Sequence, residues 1–230
     1  MGLYIEALIR TDPERLWQRT QEPAQHQRWD LRFTEISHLP GPAGSAQRFR
    51  YATRVLPFLT VAGTGTSAGE RHREDGERVS ALRFASSEKL SPLSEGSGYW
   101  RYVPTADGIR FLTGYDYRTR WGRFGVVADR LAFRPLMGWA TAWSFDRLRL
   151  WCERDISPAR SLTHALAEVL ARILVVAVAL PFGPAAVLPA ALAALLVPPS
   201  PFTPAARRCL RTPPGRSAAA PSLLARLERP

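Results

Sequence analysis

The stretch Trp121–Cys152 reads as one long helix, or as two halves joined at Pro135, and it follows a run of strand-like segments. Val126, Val127, Leu131, Leu136, Ala140, Trp143 and Leu148 recur along it at helical intervals, which predicts one apolar face. Pro135 removes a backbone donor and predicts a kink. Before it, side chains alternate. Phe49 and Tyr51 oppose Arg48, Arg50 and Arg54; Leu82 and Phe84 oppose Arg83; Trp100 and Tyr102 oppose Arg101. Phe111, Thr113, Tyr115 and Tyr117 oppose Arg110, Asp116 and Arg118. A sheet with one aromatic face and one arginine-rich face must cover the first, and this helix is the element available to do so.

The remaining elements fit around that pair. Residues 3–10 form a first strand. Thr11-Asp12-Pro13-Glu14 starts a helix, with a capping carboxylate, a proline suited to the first turn and an acid at the positive end of the dipole. Pro23 ends that helix, and a second short one over 23–28 leads into Arg28-Trp29-Asp30. Strands follow over 31–38, 46–55, 59–70, 79–86, 96–103 and 109–119, separated by Pro40-Gly41-Pro42 with Gly44, a charged turn with Asp75-Gly76, and Asp107-Gly108. The strand over 59–70 is rich in Thr and Gly, which suits close approach by another element. The expected class is α+β, a curved and mostly antiparallel sheet of about seven strands wrapped on a long helix.

Composition removes several functions. The chain has 230 residues and a net charge of +11, and Lys89 is its only lysine. An arginine bias of that kind follows from GC-rich coding and is not in itself a chemical signal. The charge fits an anionic lipid surface. No zinc-type or helix-turn-helix signature accompanies it, so no nucleic-acid partner is expected. Cys152 and Cys209 lie far apart, and His26, His38, His72 and His164 are scattered, so neither a disulfide framework, a metal site nor a cofactor is expected. The N-terminus has acidic residues early and no apolar core of signal-peptide length, so the main domain is expected to stay in the cytoplasm.

Strand, two short helices, a meander of six strands and a terminal helix is the helix-grip plan. The chain resembles the START-like superfamily, also called SRPBCC, which includes the polyketide cyclase/dehydrase-type proteins. The resemblance rests on Ile5-Glu6-Ala7 with Asp12-Pro13-Glu14-Arg15-Leu16-Trp17, on Arg28-Trp29-Asp30, on the Gly114-Tyr115 strand, and on the helix ending Leu148 to Glu153. It covers residues 1–155. It implies a cavity between sheet and helix that binds an apolar or aromatic small molecule. It does not imply catalysis, since carriers, enzymes and sensors share the fold.

Beyond Asp155 the composition changes. From Ile173 to Phe202 there is no charged residue, and the 25 residues from Ile173 to Val197 exceed what a bilayer crossing requires. Pro181, Gly183, Pro184 and Pro189 divide them, leaving Leu162–Leu180 and Ala185–Val197 as helical pieces. His164, Glu168 and Arg172 fall on one face of the first piece, as an intramembrane polar site or as the polar side of a helix entering the interface. Three arrangements satisfy the pattern: a single kinked span, a re-entrant hairpin, and a buried proline-rich hairpin. Arginines flank both sides, at Arg147, Arg149, Arg154 and Arg160 and at Arg207, Arg208, Arg211 and Arg216. That symmetry favours the hairpin, although the second piece is short for a full return crossing. The expected division is a helix-grip domain over 1–155, an apolar membrane-associated segment over 156–206 and a basic tail over 207–230, disordered or surface-bound, with a short helical turn at Ser222–Leu227.

No nucleophile elbow, phosphate loop or metal spacing is present, and Gly63-x-Gly65 lies inside a strand and not at a strand–helix junction. Glu35, Thr64, Thr113 and Tyr115 are the polar residues that suit a cavity wall. Tyr115 is a candidate proton donor, with Glu35 as its partner, or an ordinary cavity aromatic. The expected ligand-binding set is Trp29, Phe33, Phe49, Tyr51, Phe84, Trp100, Tyr102, Phe111, Thr113, Tyr115, Val127 and Leu131. Three functions remain open. They are a membrane-tethered binder of a lipid, isoprenoid or polyketide-like molecule, a cyclase, aromatase or dehydratase on such a substrate, and a structural module with a filled core. The expected partners are that small molecule and membrane lipid.

Overall fold

The computed structural model describes residues 2–42, 46–56 and 59–215. Gly44, Arg216 and the Ser222–Leu227 turn lie outside them. Strand β1 (Leu3–Ile9) is followed by helices α1 (Pro13–Gln21) and α2 (Pro23–Trp29), then by β2 (Glu35–Leu39), β3 (Arg48–Leu56), β4 (Leu59–His72), β5 (Arg78–Ala85), β6 (Leu93–Thr105) and β7 (Gly108–Thr119). The seven strands form one antiparallel sheet in the order β1-β7-β6-β5-β4-β3-β2. The Asp12 side chain accepts the amides of Glu14 at 2.9 Å and Arg15 at 3.1 Å, as the sequence predicts for α1. The strand expected from Leu31 begins four residues later, at Glu35. The Asp30 carboxylate accepts the Arg32 amide at 3.0 Å, and this local turn competes with strand pairing.

The long helix is built from α3 (Gly122–Ala128), a π turn over Asp129–Phe133 and α4 (Arg134–Arg154). The Arg134 amide bonds the Asp129 carbonyl, an i→i+5 bond just before Pro135, which has no amide to give. The extra residue turns the preceding helix about its axis. The face toward the sheet therefore carries Gly125 and Asp129, with Phe133 and Met137 half-buried beside them. Val127 is 55% exposed and Leu131 75%, and Phe124, Val126 and Leu136 are also turned out. The expected lining role of Val127 and Leu131 is thus corrected: uniform 3.6-residue spacing does not survive a π turn.

The C-terminal half of α4 seals the core. Trp29, Phe111, Phe145 and Leu148 are fully buried with Ile5 and Ile9. Phe111 stacks on Phe145 with ring centroids 4.5 Å apart, and Trp100, Tyr102, Trp143 and Trp151 close around them. Burial of each large side chain contributes roughly 1.5–3 kcal/mol. A smaller cluster of Tyr4, Ala81, Tyr99 and Leu112 packs on the convex face.

Helix α5 (Pro158–Ala179), a single 3-10 turn over Leu180–Phe182 and α6 (Pro184–Leu196) make a hairpin. Pro158–Phe182 is long and apolar enough to cross a membrane, and its most apolar window is not buried against the rest of the chain. The hairpin closes on small residues. Ala186, Ala190 and Ala194 of α6 are half-buried, as are Val176 and Ala179 of α5. Gly183 takes φ 79° at the turn, a conformation open to glycine, and Pro184 begins α6.

The chain then returns to the first domain. Thr203, Pro204, Ala205, Ala206 and Cys209 are buried. The fully buried Asp146 accepts the Ala205 amide at 2.8 Å, Arg208 at 2.8 Å and Arg149 at 2.6 Å. Glu6 and Leu210 exchange two backbone hydrogen bonds of 2.9 Å, a bridge on the free edge of β1. The start of the basic tail is therefore not disordered: residues through Leu210 are docked.

Candidate functional site: an aromatic trough beside a carboxylate–guanidinium network

Toward β3 and β4 the concave face is built differently from the packed end. Phe49 lies opposite Gly65, Tyr51 opposite Gly63, and Phe84 opposite Gly96. Each ring lies down over its glycine. A Cβ built on Gly65 would sit 2.2 Å from Phe49 Cζ, one on Gly63 2.3 Å from Tyr51 Oη, and one on Gly96 2.4 Å from Phe84 Cζ. Phe33 meets Tyr51 edge to face at 5.7 Å, and Phe49 is 6.5 Å from Tyr51. All four rings remain half-buried. They make an aromatic trough on this side of the sheet, with Tyr115 and Tyr117 in the same face. Burial raises the Tyr51 hydroxyl to about 12, with a smaller push from Glu88, so it is a neutral donor at physiological pH.

A polar network stands at one wall. Asp30 accepts Arg32 Nη2 at 2.6 Å and Arg32 Nε at 2.9 Å, and His26 Nε2 lies 3.1 Å away. Burial alone raises the Asp30 carboxyl. The Arg32 charge and the hydrogen bonds from Arg32 and His26 outweigh it and hold the group well below the ordinary carboxylate range. Burial holds His26 below its usual value, against the pull of Asp30. Arg32 also donates to Tyr115 Oη at 2.6 Å and lies over the rings of Phe33 and Tyr115, 5.3 Å from each centroid.

The Tyr115 hydroxyl has its hydrogen bonds committed. Thr141 donates to the Met137 carbonyl at 2.8 Å, so across the 2.5 Å contact with Tyr115 the threonine accepts and the tyrosine donates. Arg32 occupies a lone pair of the same hydroxyl. A second polar contact ties the sheet to the helix: Tyr117 donates to Asp129 at 2.6 Å, and Arg134 bonds the other oxygen of that carboxylate at 3.1 Å. Burial and the neighbouring Asp129 carboxylate raise the Tyr117 hydroxyl.

The residues expected at the site divide into groups. Phe33, Phe49, Tyr51, Phe84 and Tyr115 come together at the trough. Trp29, Trp100, Tyr102 and Phe111 are packed core, and Thr113 is buried with its hydroxyl on the Tyr99 carbonyl at 2.9 Å. Glu35 pairs with Ala52, next to Tyr51 but on the opposite face. It is exposed, and Arg50 lies 3.5 Å from it. Glu35 and Tyr115 therefore do not converge. Thr64 pairs with Arg50 on the same convex face. The sequence reading missed Arg32, Thr141, Asp129 and the floor glycines. Glycine at 63, 65, 96 and 98, each opposite an aromatic or large apolar residue, was the available signal for the floor.

A separate groove of about 630 Å³ lies between α5 and α6, lined by Ala167, Ala171, Val175, Ala193 and Val197, with His164, Glu168 and Arg172 on its polar side. Among the described residues, no group of three or more His, Cys, Asp or Glu side chains is placed to hold a metal.

No protein-family model matches the chain. It is similar to an uncharacterized membrane protein, YndG, of Bacillus subtilis strain 168, with 45% identity over 168 residues that make up 73% of this chain and 63% of that protein. The chain thus spans less than two-thirds of that relative. Among solved structures it is similar to the di-domain aromatase/cyclase StfQ of the steffimycin biosynthetic pathway, with TM-score 0.50, 12% identity, and coverage of 67% of this chain and 50% of that one. It is also similar to a fragment of a STAR-related lipid transfer protein from Xanthomonas axonopodis, with TM-score 0.44, 14% identity, and coverage of 63% and 81%. The match to StfQ establishes a shared α+β helix-grip fold and nothing finer.

Proposed function

We propose that the chain is a membrane-tethered binding protein for a hydrophobic small molecule, a lipid, isoprenoid or polyketide-like compound, held between the sheet and the long helix. One observation carries this reading. The rings of Phe49, Tyr51 and Phe84 reach over glycines and stay half-buried, while the aromatic residues at the other end of the same face are packed to completion. The uncovered parts of these rings offer an apolar ligand contact, and the Tyr51 hydroxyl and the Arg32 network supply a polar end. The apolar hairpin and the similarity to a membrane protein support the tether.

A cyclase-type reaction requires a donor and an acceptor converging on one substrate atom. Glu35 lies on the other face and the Tyr115 proton is committed to Thr141, so binding is the better-supported activity. The test uses the full chain, because residues 203–210 complete the domain. Native mass spectrometry of protein released from membranes is expected to show a retained lipid. Fluorescent fatty acid or isoprenoid is expected to bind saturably, and Tyr51→Ala with Phe84→Ala to weaken that binding at least 10-fold, about 1.4 kcal/mol. A chain carrying no lipid and showing no saturable uptake refutes the proposal.

A further inference from the structure

The sequence leaves open whether the apolar segment crosses the bilayer. α5 has 22 residues and α6 only 13. At 1.5 Å per residue α6 reaches about 20 Å, short of the roughly 30 Å of a hydrocarbon core. The hairpin is also closed across its middle. Arg172 donates to the carbonyl of Ala194 and, at 3.0 Å, to that of Val197. These carbonyls belong to the last turn of α6 and the residue after it, and such groups have no partner within a helix. Glu168 accepts Arg172 and, at 3.1 Å, the Ser200 amide, while His164 Nδ1 lies 3.2 Å from the Phe202 carbonyl. The polar stripe of α5 therefore fastens the returning segment to the hairpin. From Arg172 to the tip at Phe182 is ten residues, about 15 Å, or one leaflet. Beyond that level the outward side chains are apolar and exposed, among them Ile173, Leu174, Val178, Phe182, Leu188 and Leu195. On the near side, Arg154, Arg160, Arg207 and Arg211 are exposed on both limbs.

We infer that α5–α6 is a monotopic anchor: it enters a single leaflet to about 15 Å, turns at Phe182-Gly183-Pro184, and leaves on the side it entered, with Arg172 and Glu168 at headgroup depth. The docking of Ala205, Arg208 and Leu210 on the first domain requires that same-side return. The inference rests on the tethering part of the reading above and is independent of ligand binding.

One cysteine added at an exposed position tests it in the full chain, with the unsubstituted chain, whose Cys152 and Cys209 are buried, as background. Ala159→Cys is in the first turn of the hairpin, Phe182→Cys is at its tip, and Arg211→Cys follows it. Spheroplasts and inverted vesicles from an expressing bacterium are treated with a membrane-impermeant maleimide. Ala159→Cys and Arg211→Cys are expected to label from one and the same side, and Phe182→Cys from neither side until detergent is added. Should Phe182→Cys fail to accumulate, Leu180→Cys carries the same test. Labelling of the tip, or of Arg211→Cys, from the side opposite Ala159→Cys makes the segment a span and overturns the inference while leaving the tether intact. Labelling of the tip from the same side as Ala159→Cys in membrane-bound protein puts the hairpin outside the lipid and overturns it. Protein that washes from the vesicles at high salt overturns both this inference and the tether.

Discussion

Gly65→Ala is the most revealing change in the trough. In a strand, replacing glycine ordinarily favours folding by about 0.5–1 kcal/mol, because the unfolded chain loses freedom it would otherwise have. Here the new methyl would lie 2.2 Å from Phe49 Cζ, and ordinary contact begins at 3.4 Å, so the ring must move by 1.2 Å. All three nearest atoms belong to that ring, so the ring is the first obstacle the methyl meets. Lifting the ring takes it off its rotamer, at about 0.5–1.5 kcal/mol, and forfeits part of its dispersion contact with the strand below. The expected net loss is about 0.5–1.5 kcal/mol. In a Phe49→Ala background the same substitution meets no ring and is expected to stabilise by about 0.5–1 kcal/mol. The two effects differ in sign, and the coupling is about 1–2.5 kcal/mol. For a chain of this size that corresponds to roughly 2–10 °C in Tm. The assay is thermal unfolding of the full chain in one detergent, read by tryptophan fluorescence across the four members of the cycle. Equal shifts from Gly65→Ala in the two backgrounds would refute the claim that the glycine exists to let the ring lie flat.

Other consequences can be checked independently. Leu131→Asp is expected to change stability by no more than about 0.5 kcal/mol in detergent, because the side chain points outward, whereas Phe145→Ala should cost about 3–5 kcal/mol; denaturant midpoints separate the two. Asp146→Ala removes the acceptor shared by Ala205, Arg208 and Arg149, so the docked segment should release; Cys209, buried and held at about 12 by burial and the nearby Asp146, should then react with a thiol reagent at pH 8 at least about 10-fold faster. If the reactivity is unchanged, Asp146 does not hold the segment. Asp30 and His26 both have folded pKa values below their unfolded ones. Their folded state binds fewer protons, so stability is present above the unfolded values and falls on acidification, first below about 6.5 for His26 and then below about 3.9 for Asp30. His26→Gln should flatten the upper part of the profile and Asp30→Asn the lower; an unaltered profile in both variants would remove the network as its cause. Tyr115→Phe is expected to destabilise by about 1–2 kcal/mol through the lost bonds to Arg32 and Thr141 and to leave saturable lipid uptake intact; abolished uptake would make the hydroxyl a ligand contact.

The strands were readable because each is half-buried and alternates. Trp100, Tyr102 and Phe111 had to share a face with one another and to oppose Arg101 and Arg110. The capped start of α1 was local chemistry, and the sequence carried it in four residues. The inner face of the long helix was not readable, because periodicity assumes one helical repeat and the π turn at Asp129–Phe133 breaks it. Nor was the division of the aromatic residues into core and trough: Trp29 and Phe33 are equally apolar, and only the seating of α4 decides which is covered. Glu35 failed as a site residue for a similar reason. The Asp30 turn delays β2 and sets which of its side chains face in. The docked segment was hidden because a composition of Arg, Pro and Ala resembles that of a free tail, while its order depends on Asp146, 62 residues before Arg208.

The bridge between Glu6 and Leu210 has a consequence for synthesis. The first strand leaves the ribosome early, and its outer edge has no strand neighbour until a residue some two hundred positions later has been made. An uncovered strand edge is a template for mispairing, so the interval is a hazard that lengthens if translation stalls. The apolar hairpin is made within that interval. Until the hairpin has folded back on itself Leu210 cannot reach Glu6, and the sheet remains open at that edge. The hairpin is in this sense an insertion into the fold and not an appendix at its end, and replacing residues 158–202 by a short linker, with 203–215 retained, is the truncation that keeps β1 covered.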